Sequence, residues 1–177
     1  MPPATIQTPF AYAEDLLAIC EDAVTATSAG AIDRVYVSPG RPVYDCEQLT
    51  IFLDSIGEAS TATSTSLAVG KRHVTGRVNL LGFVVTVLRD CVPVLEDDGS
   101  IPTPENIALS AQEVVEDVWA IWTYLYWAFK RGELLDGICD DLFMDSAQAI
   151  DTSGALAGFE VSFRVNIPGI ANAGGGS

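Results

Sequence analysis

The sequence predicts an α+β domain: an antiparallel or mixed sheet of four to five strands, with an N-terminal helix and a long helix packed on one face. Three observations point there. Phe159, Val161, Phe163, Val165 and Ile167 alternate with Glu160, Ser162, Arg164 and Asn166, which is the two-residue period of a strand. Ile107, Ala111, Val114, Val118, Trp122, Leu125 and Phe129 step by three or four, the period of a helix. Hydrophobic residues make up 49% of the 177-residue chain and mean hydropathy is +0.29. That is ample apolar material for one core of ordinary domain size and too much for a disordered chain.

Taken in order, Ala11–Thr27 reads as an amphipathic helix. Tyr12, Leu16, Ile19, Cys20 and Ala23 share one side, Glu14, Asp15, Glu21 and Asp22 lie largely outside, and Gly30 suits a left-handed cap. Arg34–Val37 is a short strand. Gln48–Ile56 is the first long strand, with Leu49, Ile51 and Leu53 on the better-buried face and Gln48, Thr50, Phe52 and Asp54 on the other. Residues 57–76 are rich in Ser, Thr, Ala and Gly and read as a mobile loop. Arg77–Val94 is a second long strand, apolar on both faces over Phe83–Leu88 except at Thr86, as a covered central strand would be. Thr103 caps a long helix with Pro104 at its first position, and Lys130, Arg131 and Gly132 close it. Trp119, Tyr126 and Trp127 widen its apolar stripe so far that burial on two sides is expected. Asp140–Ile150 ends in a strand, Asp151–Gly154 is a turn, and the alternating strand follows. Residues 1–170 thus form one domain, with 171–177, ANAGGGS, as a flexible tail.

Composition excludes several functions. There are 24 acidic and 9 basic residues, a net charge of −15, so binding to a nucleic-acid backbone, which rests on clustered Lys and Arg, is not expected. Apolar runs stay short of a membrane span, and Met1–Phe10 lacks the pattern of a signal peptide. Cys20, Cys46, Cys91 and Cys139 are far apart in sequence and form no redox or zinc pattern; they read as small apolar residues of a reduced core. Gly70-Lys71 belongs to no phosphate-binding loop. His73, the single histidine, lies beside Lys71 and Arg72 in the 57–76 loop, without the partners a base requires. Neither Glu96-Asp97-Asp98 nor the run Asp136, Asp140, Asp141, Asp145 has the spacing of a calcium loop. No catalytic, cofactor-binding or metal-binding residue is therefore assigned, and no enzyme activity is expected. Enzymes built on two carboxylates leave no motif, so a small acidic enzyme or a monomeric binding domain stays as the alternative class.

The aromatic band Trp119, Trp122, Tyr124, Tyr126, Trp127 and Phe129 lacks the interleaved cations of a base-stacking platform before Lys130. It reads as core or as subunit interface, where aromatic residues are enriched. Lys71, Arg72 and Arg77 are three of only 9 cations, and with His73 they are candidate contacts to the acidic surface of an adjacent protein.

Several pieces resemble the tail terminator proteins of long-tailed phages of actinobacteria. They are the leading helix, VSPGRPVYDCEQL at Val37–Leu49, the strand end DCVPV at Asp90–Val94, the helix start at Pro102–Asn106, and the closing hairpin at Ser146–Ile167 with FEVSFRVNI. The resemblance runs over Phe10–Gly169 and rests on the order of these pieces. It implies a structural virion protein of the tail–neck region, assembled in the host cytoplasm. Such a protein forms a homo-oligomeric ring, a hexamer, that caps the tail tube, stops its polymerisation and docks to the head connector. Its partners would be further copies, the major tail tube protein and a head–tail stopper or connector protein, and DNA would pass through without specific binding. Within such a ring, Trp119, Trp122, Trp127 and the Lys71–Arg77 cations are candidates for the subunit or tube interface. Glu96, Asp97, Asp98, Asp140 and Asp141 are candidates for lining the channel. Another neck component, a stopper or an adaptor, is the alternative within the same class.

Overall fold

The computed structural model describes residues 8–59, 78–91, 102–150 and 156–168. The elements run α1 (Pro9–Thr25), β1 (Val35–Val37), β2 (Gln48–Ala59), β3 (Val78–Asp90), α2 (Pro104–Arg131), a short 3-10 turn (Leu134–Gly137), β4 (Asp141–Ala149) and β5 (Leu156–Pro168). The predicted class and order of helices and strands hold. The five strands lie in the order β1-β2-β3-β5-β4. β1 is parallel to β2 and every other pair is antiparallel, so the sheet is mixed.

Both helices cover the same face. Leu16, Leu17, Cys20, Ala23 and Val24 of α1 and Ile121, Leu125 and Ala128 of α2 meet Leu49, Ile51, Phe83, Val85, Val87, Val161, Phe163 and Val165 of the sheet. Phe83 and Phe163, opposite each other in β3 and β5, stack with ring centroids 6.0 Å apart. β3 is central and fully buried from Leu81 to Arg89, as its two-sided apolar run predicts. β5 alternates as its sequence does, with Val161, Phe163, Val165 and Ile167 buried.

The opposite face departs from expectation. Gln48, Thr50 and Phe52 are buried instead of forming the more exposed side of β2. The loop between β1 and β2 folds across this face. Gln48 Nε2 donates to the Val43 carbonyl at 2.8 Å, and the Tyr36 hydroxyl donates to Gln48 Oε1 at 3.1 Å. Tyr44 and Arg41 both donate to Glu160 on β5. Burial, then the hydrogen bond to Glu160, pushes the Tyr44 hydroxyl up to about 12. A strand pattern of polar residues therefore met a polar lid in place of solvent.

Boundaries move in three places. α1 begins at Pro9 with Thr8 as its cap and ends in a right-handed turn at Ala26; Gly30, with φ 76°, serves the following turn and not the helix end. β2 continues through Gly57–Ala59, where the loop was expected to start, and β3 stops at Asp90, four residues short of Val94. α2 matches its predicted limits. Thr103 accepts from the Asn106 amide and Gly132 closes the helix in the left-handed conformation, φ 71°. The remainder of the 57–76 loop, the Asp151–Gly154 turn and the 171–177 tail lie outside the described residues.

Candidate interaction surface

α2 is the element that positions the candidate residues. Its inward side, Val114, Asp117, Ile121, Leu125 and Ala128, is buried. A helix turns about 100° per residue, so Val115, Trp119, Trp122 and Tyr126, spaced 4, 3 and 4 apart, form a second apolar ridge on the other side. Trp119 is 70% exposed, Val115 56%, Trp127 53% and Tyr126 43%. Trp122 sits at the flank of this ridge and packs partly against the core. Among the described residues of the single chain α2 is covered on one side, and its second apolar side faces outward. Tyr126 meets Trp127 edge-on at 5.6 Å, and Lys130 Nζ lies 5.4 Å from the Tyr126 ring centroid. Next to the ridge, Trp119, Ala120, Thr123 and Tyr124 line an open, mostly apolar groove against Ala26, Thr27 and Ser28 at the end of α1.

Among the candidates for a channel lining, Asp140 and Asp141 are exposed at the start of edge strand β4. Asp141 approaches the Asn166 side chain at 3.5 Å. Asp145 of the same run is not free: Arg164 holds both its oxygens, at 2.7 and 2.8 Å. Asp136 lies near Asp15 of α1, whose carboxyl is raised by burial and then by that neighbouring charge. Lys71, Arg72, His73 and Arg77, and Glu96, Asp97 and Asp98, lie outside the described residues.

Sequence reading missed a buried ionic joint. Arg89 on β3 donates to Asp117 on α2 at 2.8 Å, to Glu47 at 2.6 Å and to the Gly30 carbonyl at 2.5 Å, while Thr27 donates to Asp117 at 2.7 Å. Asp117 is 0% exposed. Desolvation lowers the Arg89 pKa and its two carboxylate partners outweigh that, so it is held charged. The signal was legible: Asp117 sits between Val114 and Ile121 on the apolar stripe, and Arg89 falls at an inward position of β3. A charge at such a position requires a partner.

The four cysteines are free; Cys20 is buried and the others partly so. Burial raises the thiols of Cys20 and Cys139, the latter to about 11. Among the described residues no group of three or more His, Cys, Asp or Glu side chains could hold a metal ion, and no helix is long and apolar enough to cross a membrane.

No protein-family model matches the chain, and no curated protein matches it. Among solved structures, a chain from one described as the virion of a native gene transfer agent particle aligns with a TM-score of 0.44 and 13% identity, over 92% of this chain and 100% of that one. A likeness at this level carries no functional argument.

Proposed function

We propose that the chain is a structural virion protein: a tail terminator that forms a six-membered homo-oligomeric ring, caps the tail tube, ends its polymerisation and joins it to the head connector. The observation that carries the self-assembling part is the outward face of α2. Val115, Trp119 and Tyr126 stand exposed along one ridge, with exposed Trp127 edge-on to Tyr126; exposed apolar surface of this kind marks protein interfaces, and it is rich in the residue types that dominate binding energy there. The role at the tube comes from the resemblance of the Val37–Leu49 loop and the elements in order around it. The acidic composition and exposed Asp140 and Asp141 suit a conduit through which DNA slides, because like charges give no counterion release to hold the duplex.

The test is native mass spectrometry of the purified protein, alone and with tail tubes, together with electron micrographs of the tubes. Rings of six seated on tube ends, and tubes that stop growing when the protein is added, are expected. Monomers on assembled particles would overturn the ring. Rings that bind the connector and ignore the tube would move the assignment to a stopper or adaptor.

A further inference from the structure

The sheet has an acidic groove along the free edge of β1. Glu14, Leu17, Ala18 and Glu21 of α1 form one wall, and Asp33 with Val35–Val37 forms the other. Glu14, Glu21 and Asp33 are exposed. The nearest cation on β1's flank, Arg34, is already engaged with Asp45 and Cys46 and lies over the Tyr36 ring. Among the described residues β1 pairs with β2 alone. The Arg34 carbonyl accepts from the Leu49 amide and the Ser38 amide donates to the Ile51 carbonyl. In a parallel ladder alternate residues turn both backbone groups to the same side. Arg34, Tyr36 and Ser38 therefore face β2, while Val35 and Val37 present their amides and carbonyls to the groove, where no described residue pairs with them. An unpaired edge beside three carboxylates is a template for an extended, basic strand.

We infer that this groove receives the Lys71–Arg77 segment of a second copy of the chain, added as a strand beside β1. This rests on the self-assembly proposed above and names its second contact. The charge matches: Lys71 and Arg72 belong to a chain with only 9 cations against 24 acids, and among the described residues the groove gathers acids without a free cation. Chain length excludes the protein's own segment. Val78 stands opposite Ala59, and Val85 stands opposite Ile51, level with Val37. At about 3.3 Å per residue the groove is about 23 Å down the ladder from Val78 and, three strand spacings from β3, about 14 Å aside. Lys71–Arg77 drawn out fully spans about 24 Å. Its whole length would go into reaching the groove, leaving nothing to lie along it. A neighbouring copy has no such constraint.

The probe is a synthetic peptide of residues 69–78, titrated into the isotope-labelled full chain while amide shifts are followed. Exposed ion pairs are weak and screened by salt. The expected result is saturable shifts at Val35 and Val37, weakened at least about fivefold between 50 and 500 mM salt. The triple variant Glu14→Lys, Glu21→Lys, Asp33→Lys should weaken binding at least about tenfold, and a peptide with Lys71→Glu and Arg72→Glu should bind that variant instead. All three changes are at exposed positions, and circular dichroism checks the fold. No shift at Val35 and Val37, or equal binding to the triple variant, overturns the groove. In full-length protein the same reversals should weaken ring formation, and combining both sets should restore it. Reversal variants that assemble like the parent sink the groove and leave the ring. A parent chain that docks the peptide yet never self-associates sinks the ring and the second copy as donor.

Discussion

α1 and α2 rest on the same face of the same sheet and treat solvent in opposite ways. α1 turns Glu14, Asp15, Glu21 and Asp22 outward, so its single apolar side is spent on the core. α2 makes the same kind of contact with Val114, Ile121 and Leu125 and carries Val115, Trp119 and Trp127 on the side away from it. The core asks one apolar stripe of each helix. The second stripe of α2 is surplus to the core of the described residues, and it is the surface that the proposed self-assembly would cover.

Breaking the joint between the helices should have the largest effect. Asp117→Ala removes the carboxylate that ties α2 to Arg89 and to Thr27 at the end of α1, leaving the Arg89 charge buried with one carboxylate, Glu47, instead of two. A loss of about 3–5 kcal/mol in urea unfolding is expected. A loss below about 1 kcal/mol would mean that solvent reaches Arg89.

The comparison is sharpest within α2 itself. Leu125, 0% exposed, should cost about 2–5 kcal/mol as Leu125→Ala. Trp119→Ser and Trp127→Ser, on the outer side, should change the stability of the isolated chain by no more than about 0.5 kcal/mol each while reducing self-association in sedimentation. Equal destabilisation by both kinds of change would show that the outer ridge serves the monomer fold.

The helix ends differ as well. Gly132 closes α2 at φ 71° whereas Ala26 closes α1 at φ −80°. Gly132→Ala should cost about 1 kcal/mol in thermal unfolding, from placing a Cβ in the left-handed region; Ala26→Gly should cost less. The smallest effect should come from the caps. Thr8→Ala and Thr103→Ala each lose one long side-chain hydrogen bond, of 3.3 and 3.4 Å, and about 0.5 kcal/mol is expected for each.

What the sequence made legible was whatever is local and periodic. The limits of α2 follow from Thr103, Pro104 and Gly132, because caps are written into adjacent residues. The core face of β5 follows from strict alternation. The buried polar face of β2 did not, because Gln48 and Thr50 look solvent-directed until the loop carrying Val43 and Tyr44 is folded over them; that cover is non-local. The same holds for the groove at β1, formed by residues of two elements that only the parallel pairing brings together. The candidate site was legible in part. The Trp residues of α2 were found as an aromatic band, but a period alone could not tell which side of the helix the sheet would take.

The topology also sets an order of events in time. β3 is paired on one side by its hairpin neighbour β2 and on the other by β5, whose first residue, Leu156, stands opposite Asp90. During synthesis the second edge of the most apolar strand therefore stays unpaired while all of α2 and β4 emerge. The last of the described strands is the one that seals the middle of the sheet. The central layer is completed only when β5 has been made, and the nascent protein is most exposed to wrong pairing just before Leu156–Pro168 arrives.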